Sequence, residues 1–285
     1  MNTVDKVITH LKSELIGFYP PEEIQSFIWL AFEHYLGYTK TDIILNKKNT
    51  LSESQIHLFQ RLAKRLKKQE PIQYILGKTE FYGLSFLVTE NVLIPRQETE
   101  ELVNLIITNE IDRKSTNLLD IGTGSGCIAI SIKNNLSNFN VSALDVSSKA
   151  LAVAKSNADK NDVKITFIED NILENKYVPT TMLDIIVSNP PYVLQAEKKL
   201  MHDNILNHEP HTALFVCDAD PLQFYKVITK FANQYLNSNG SLYFEINENF
   251  GREIKDLLES HNFENITIKK DINGKDRFAI ARKSN

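Results

Sequence analysis

Cysteine is scarce. Two thiols in 285 residues, Cys127 and Cys217, cannot build a disulfide framework, and no Cys/His cluster has zinc-ligand spacing. Tryptophan occurs once. No apolar run approaches the ~18 residues that a membrane-spanning helix needs. The opening MNTVDKVITHLKSEL has no uninterrupted apolar segment, so a secretory signal is not expected. An excess of positive charge is missing too: 32 Lys+Arg stand against 36 Asp+Glu, a net of -4. A chain that grips duplex nucleic acid usually shows a basic surface, and here only a local patch could serve. These absences lead to the expectation of a soluble, cytoplasmic protein in a reducing compartment.

What is present is ordinary globular composition, 42% hydrophobic and 24% charged. The length suits one large domain or two smaller ones. Residues 1–70 read as helices. Val4, Val7, Ile8, Leu11 and Leu15 recur at helical spacing, as do Ile24, Phe27, Ile28, Ala31, Phe32 and Tyr35. Ser52 and Gln55 form a capping box, flanked by Leu51 and Ile56 for a hydrophobic staple. That helix ends in RLAKRLKK, residues 61–68, with five basic side chains. Residues 1–80 carry 11 basic and 9 acidic side chains, which leaves 21 and 27 for the rest. The basic run reads first as a solvated helix end favoured by the macrodipole, and second as a partner-binding patch.

Beyond residue 70 the pattern changes. Phe81, Tyr82, Phe86, Leu87 and Val88, then Val92, Leu93 and Ile94, predict two short strands with the turn at Thr89-Glu90-Asn91. A helix follows Pro95. Strands are predicted at 117–121, 141–146, 164–168, 183–188, 241–246, 266–271 and 277–281, with helices between the first five. Ser147 or Ser148 caps the helix over 150–158. Such alternation means βαβ units and a mostly parallel sheet. The last two strands, separated by Asn273-Gly274 and neighbours, read as an antiparallel hairpin. The expected organisation is a helical domain over 1–75, a hairpin linker over 76–97 and an α/β domain over 98–285.

Three segments carry chemistry. Asp120-Ile121-Gly122-Thr123-Gly124-Ser125-Gly126 closes the first strand of the α/β region. Its G-x-G-x-G spacing differs from the dinucleotide G-x-G-x-x-G and lacks the Lys-Ser/Thr of a P-loop, so nicotinamide, flavin and nucleotide triphosphate are disfavoured. Asp145 ends the second strand, where an acid faces ribose hydroxyls in a doubly wound sheet. Asp170-Asn171 ends the third and could meet a base edge, although Asx residues favour such turns anyway.

Ser188-Asn189-Pro190-Pro191-Tyr192 follows the fourth strand. Two prolines fix the chain and remove two donors, and Asn189 is restricted by the proline after it. The result is a rigid platform bearing an amide, free carbonyls and a ring. It suits alkylation of a planar NH₂ group, whose lone pair is delocalised. The Asn189 side-chain oxygen can accept one N–H and the Pro190 carbonyl the other, which stabilises positive charge developing on nitrogen. Tyr192 can pack on the planar face.

These motifs together resemble class I S-adenosylmethionine-dependent amino-methyltransferases. NPPY serves both adenine-N6 and glutamine-N5 methylation. The flanks are more specific: PIQYILG at 71–77, FYG at 81–83, VLIPRQETE at 92–100, EPHTAL at 209–214, and the closing Lys270-Asp271 with Asp276-Arg277 are similar to the HemK/PrmC family. The resemblance covers essentially the whole chain and is weakest over 1–50. It implies a Rossmann-like, seven-stranded, mostly parallel sheet with an antiparallel C-terminal hairpin, plus a small N-terminal all-helical domain. It implies methyl transfer from S-adenosyl-L-methionine, leaving S-adenosyl-L-homocysteine, to the GGQ glutamine of class-1 peptide chain release factors.

By that resemblance Gly122, Thr123, Gly124, Ser125 and Gly126 hold the methionine end of the cofactor. Asp145 holds the ribose, Asp170 and Asn171 lie near the adenine, and Asn189 borders the cofactor. Asn189, Pro190, Pro191 and Tyr192 clamp the glutamine, with Asn189, Pro190 and Tyr192 catalytic. The N-terminal helices help hold the release factor, and Arg96 and Glu98 lie between the domains with open roles. Gln97 departs from the family's usual proline, and 170–171 lacks the aromatic that some members carry after the acid. Competing readings are a ribosomal-protein glutamine methyltransferase, an adenine-N6 nucleic-acid methyltransferase and a non-catalytic cofactor-binding protein. No metal, membrane or direct nucleic-acid substrate is expected.

Overall fold

The computed structural model describes residues 2–174 and 176–285. Its contacts divide the chain into two compact units, residues 1–77 with 202–208 and residues 78–201 with 209–285.

The smaller unit is helical: α1 Val4–Leu15, α2 Pro21–Leu36, α3 Lys40–Leu45, α4 Glu53–Leu66 and α5 Ile72–Leu76. The apolar stripes anticipated from spacing meet here, with Val7, Leu11, Ile28, Phe32, Phe59 and Leu62 buried in one cluster. The capping box forms on α4: Gln55 N donates to Ser52 Oγ and the Gln55 side chain accepts from Ser52 N. A second capping box, Thr39 with Asp42, starts α3. The basic end of α4 is tied down by an Arg65–Glu70 ion pair and by Lys67 on Glu14 at 3.0 Å.

The larger unit opens with a hairpin, β1 Lys78–Phe81 and β2 Leu84–Leu87. Here the structure corrects the sequence reading. The turn is Tyr82-Gly83, both with positive φ, 49° and 73°, as a type I′ turn requires. Residues 88–94 are not a strand. The side chains of Val88, Val92 and Ile94 are buried within an irregular segment, so the apolar pattern that suggested a strand reflects burial.

After α6 Gln97–Glu110 comes β3 Thr116–Ile121, α7 Cys127–Asn135, β4 Phe139–Asp145, α8 Ser148–Lys160, β5 Thr166–Glu169 and β6 Leu183–Ser188. Ser147 caps α8. Among the described residues no α-helix joins β5 to β6, where the alternation had predicted one. The described residues there hold one 3₁₀ turn, Ile172–Glu174, set by Asn171 Oδ1 accepting from Leu173 N at 3.1 Å, and Pro179 follows. Short elements come next: β7 Val193–Leu194, α9 Asp203–Leu206 in the helical unit, α10 His211–Leu214 and β8 Phe215–Val216, with β7 and β8 pairing in parallel. The chain closes with α11 Gln223–Tyr235, β9 Leu236–Glu245, α12 Gly251–Glu259, β10 Phe263–Lys270 and β11 Asp276–Lys283.

Seven strands form one sheet in the order β10-β11-β9-β6-β3-β4-β5. β9, β6, β3, β4 and β5 are mutually parallel, and β11 runs antiparallel to both neighbours. Side chains alternate across it. Leu118, Ile185, Val187 and Tyr243 pack with α6 and α7 on one face. Leu119, Ile186, Leu242 and Phe244 pack with α11 and α12 on the other. A strand buried on both faces reads as an unbroken apolar run, which is why β6 was legible as LDIIV. The chain reverses direction of winding at β3, whose neighbours β4 and β6 leave a crevice at their carboxyl ends. No helix among the described residues is long and apolar enough to cross a membrane.

Candidate active site

The crevice beyond β3, β4, β5 and β6 holds a cavity of about 540 Å³. Its walls include Gly122, Gly124, Asp145, Asp170 and Asn171 on one side and Asn189, Pro190 and Pro191 on the other. Parallel strands place these residues together although they span 70 positions, because every strand of the parallel set ends at the same edge.

The glycine loop is built for close approach. Gly122, Gly124 and Gly126 all have positive φ, 76°, 55° and 82°, where other residues are strained. A methyl group at Gly122 or Gly124 would meet no protein atom within 4 Å, so both face open space. At Gly126 it would sit 2.9 Å from Ile130 Cδ1 and 3.2 Å from Ala154 Cβ, so this glycine serves helix packing instead. Gly122 N and Thr123 N donate to Leu144 O at 2.8 and 3.0 Å, which stitches the loop to β4. Thr123 and Ser125 are buried beneath it. Thr123 Oγ1 donates to Asp120 Oδ2 at 2.6 Å. Burial pushes the Asp120 carboxyl up to about 7, against the pull of the Thr123 hydroxyl and the Ala129 N–H.

Asp145 accepts from Gly124 N at 2.8 Å and from Ser147 N at 2.9 Å. One carboxylate therefore clamps the loop and starts α8, while its remaining lone pairs border the cavity. Burial raises its pKa, and these N–H groups oppose the rise. Asp170 lies against the same cavity, its N–H donating to Asp145 O at 3.1 Å. Its Oδ2 is buried without a hydrogen-bond partner among the described residues. Asn171 borders the cavity, but its side chain is spent locally on Leu173 N and on Glu174 Oε1 at 3.2 Å.

On the opposite wall Ser188 Oγ donates to Ile121 O at 2.7 Å, binding the ends of β6 and β3. Asn189 Nδ2 donates to Thr99 Oγ1 at 3.2 Å. The Tyr192 hydroxyl donates to Glu245 Oε1 at 3.0 Å. Burial first, then the charge of Glu245, lifts the Tyr192 pKa well above its ordinary value. Tyr192 is not among the residues that line the cavity.

Sequence reasoning missed Thr99, Glu245, Asn157 and Glu209. Glu245 is buried at the end of β9 and also accepts from Thr99 Oγ1 at 2.7 Å. Burial raises its pKa, opposed by those two hydroxyls. Asn157, wholly buried in α8, accepts from Leu87 N at 2.6 Å and donates to Leu87 O at 3.0 Å and Ser125 O at 2.9 Å. Glu209 pairs with Arg96 at 2.6 Å and accepts from Ile94 N at 3.4 Å, fixing the irregular segment whose Val92 and Leu93 wall the cavity. An acid ending a central strand in FEIN, and an Asn inside a helix, were the available signals.

The cavity fits a nucleoside-bearing cofactor on the chain's own evidence. Two glycines leave open space at the loop, an acid sits at the end of β4, and Asp170 keeps an unanswered acceptor at the end of β5.

Comparison with known proteins agrees with this geometry. The PrmC N-terminal domain model matches residues 7–77, and the methyltransferase small domain model matches residues 97–213. A release factor glutamine methyltransferase of Flavobacterium psychrophilum is 50% identical over 272 residues, 94% of this chain and 95% of its own. One of Bacteroides thetaiotaomicron is 42% identical over 280 residues, 98% of this chain and 100% of its own. Among solved structures, a methyltransferase from Pyrococcus furiosus superposes with a TM-score of 0.53 at 16% identity, over 79% of this chain and 100% of its own, a likeness of fold alone.

Proposed function

The chain belongs to the release factor glutamine methyltransferase family, and from that premise we propose that it transfers a methyl group from S-adenosyl-L-methionine to the side-chain amide nitrogen, N5, of the GGQ glutamine in class-1 peptide chain release factors. The observation that carries this reading is the placement of Asn189 and Pro190 on one wall of a single cavity, with the glycine loop on the other.

In this reading Gly122, Thr123, Gly124, Ser125 and Gly126 shape the cradle for the methionine end of the cofactor. Asp145 receives the ribose hydroxyls with the lone pairs that Gly124 and Ser147 leave free. Asp170 receives the adenine amino group through its unpartnered oxygen. Asn171 contributes backbone, since its side chain is engaged. The cofactor supplies an electrophilic methyl carbon on a sulfonium. Asn189 Oδ1 and the Pro190 carbonyl accept the two N–H bonds of the substrate amide, which turns the nitrogen lone pair toward that carbon. Both acceptors stabilise the positive charge that grows on nitrogen as the C–N bond forms. The methyl–sulfur bond would break as the C–N bond forms, releasing S-adenosyl-L-homocysteine, and the N–H proton, acidic only then, would pass to solvent without a strong base. Pro191 keeps the platform stiff, and Tyr192 braces it from Glu245. Holding donor and acceptor in line accounts for roughly 7–11 kcal/mol of the barrier. The helical unit helps hold the release factor.

Labelled S-adenosylmethionine, this protein and two purified release factors test the proposal. One factor keeps its GGQ glutamine and the other carries alanine there. Label in the first and none in the second is expected. Label in neither sinks the release-factor reading and turns attention to a ribosomal protein, then to nucleic acid.

A further inference from the structure

An asparagine amide has two ends of nearly equal shape and opposite hydrogen-bond sense. Only one orientation of Asn189 can do what is proposed above. With Oδ1 toward the substrate it accepts an N–H; with Nδ2 there it would set donor against donor. The conformation of the Ser188–Pro190 backbone does not choose between them, because rotation about the last side-chain bond exchanges the ends.

The choice is made two residues away. An ionised carboxylate can only accept, and at Glu245 the Thr99 and Tyr192 hydroxyls and the charge of Arg277 favour that form against burial. Glu245 therefore draws the Thr99 proton toward Oε2, at 2.7 Å, and the Tyr192 proton toward Oε1, at 3.0 Å. With its proton committed, Thr99 Oγ1 has only lone pairs to offer at 3.2 Å to Asn189. The end of Asn189 that meets it must be Nδ2, which leaves Oδ1 as the other end of an amide on the cavity wall. The arrangement is costly as mere packing. Glu245 is 1% exposed and Thr99 3%. A buried carboxylate held by two hydroxyls is harder to maintain than apolar side chains of the same volume. Arg277, whose charge is felt at Glu245, is itself engaged by Asp271 Oδ2 at 3.1 Å and Ile246 O at 3.2 Å.

We propose that Glu245 and Thr99 are positioning residues which, through the one-way chain Asn189 to Thr99 to Glu245, hold the Asn189 carbonyl toward the substrate amide. The inference rests on the reading of Asn189 as the amide clamp. It also assigns Tyr192 a second task, since its hydroxyl fills the other carboxylate oxygen and keeps Glu245 from turning.

The test uses the full chain. Thr99→Val keeps the shape and removes the hydroxyl; Thr99→Ser keeps the hydroxyl. Glu245→Gln offers Thr99 a donor in one of its two orientations. The side-chain ¹⁵N–¹H resonances of Asn189, identified by their disappearance in Asn189→Ala, report the amide directly and need no substrate. In Thr99→Val these resonances should move and kcat should fall by about tenfold to a hundredfold, the range for outer partners that orient a ligating side chain. The release-factor KM and the S-adenosylmethionine Kd should stay within about twofold in that variant, because orientation, not occupancy, is lost. Thr99→Ser should return both the resonances and most of the rate, and Glu245→Gln should resemble Thr99→Val. Unmoved resonances and an unchanged kcat in Thr99→Val overturn the proposal. Equal damage in Val and Ser also overturns it, since packing alone would then explain the site. If the parent labels no release factor while the resonances still respond as described, the positioning stands and only the substrate assignment fails.

Discussion

Asp120 should make this protein lose stability as the solution is made less acidic. It is wholly buried next to the glycine loop, and its carboxyl is pushed from 3.8 up to about 7, chiefly by burial, with the charge of Asp145 adding to the rise. The sign follows from proton counting. Between about pH 4 and about pH 7 the folded protein holds a proton that the unfolded chain has released, so stability falls as pH rises through that window and levels off above it. A rise of about three units at 1.36 kcal/mol each corresponds to roughly 4 kcal/mol in all. Between about pH 5 and about pH 8 the parent should lose about 2–3 kcal/mol from this group. Asp120→Asn removes the titration and can still accept from Thr123. Urea unfolding of both proteins across that range gives the difference in free energy at each pH, and common contributions from other groups cancel. The variant should gain on the parent steadily toward pH 7 and then run parallel to it. A difference that is flat over the whole range, or that changes in the other direction, refutes the argument.

Asn157→Ala should cost about 2–4 kcal/mol, because it strands the buried Ser125 carbonyl and frees both backbone groups of Leu87. It should also weaken cofactor binding by loosening the loop, which calorimetry at a temperature where the variant stays folded would show. Asp170→Ala should leave the ligand-free protein as stable as the parent, or more so, since its Oδ2 is buried and unpartnered. The same change should raise the S-adenosylmethionine Kd by about tenfold or more, the worth of a charge-assisted hydrogen bond. Unchanged affinity would remove Asp170 from the binding site.

Local chemistry was legible in the sequence and long-range chemistry was not. The Ser52 capping box, the Ser147 cap, the glycine loop and the doubly buried β6 depend on residues within a few positions of one another, and all could be read in advance. The hairpin went astray because Val88, Val92 and Ile94 are apolar at strand-like spacing yet belong to no strand, while Tyr82-Gly83 hides a type I′ turn behind a bulky residue with positive φ. Glu245 and Thr99 lie 146 positions apart and meet only through the sheet. Nothing in either neighbourhood marks a carboxylate whose value lies in being unable to donate. At Asn171 the same strand-end amide that drew attention in the sequence also bonds within its own turn, a local use that the Asx preference for turns foretold.

The order of strands constrains how the molecule can be made. β10 precedes β11 in the chain, yet β11 lies between β10 and β9 and is the sole sheet partner of β10 among the described residues. During synthesis from the amino end, β10 emerges with no edge to join, because the edge it will use has not been produced. β9 meanwhile exposes Ser241, Leu242, Tyr243, Phe244 and Glu245 to the slot that Arg282, Ala281, Ile280, Ala279 and Phe278 will fill. The sheet must therefore close in reverse, the later strand arriving first and bringing the earlier one with it. Two adjacent unpaired edges at that stage are an invitation to a neighbouring nascent chain. The hairpin turn at 271–275, with Asp271 accepting from Asn273 N and Lys275 N, lets β10 and β11 form as a unit and dock together, which shortens the interval in which either edge stands open.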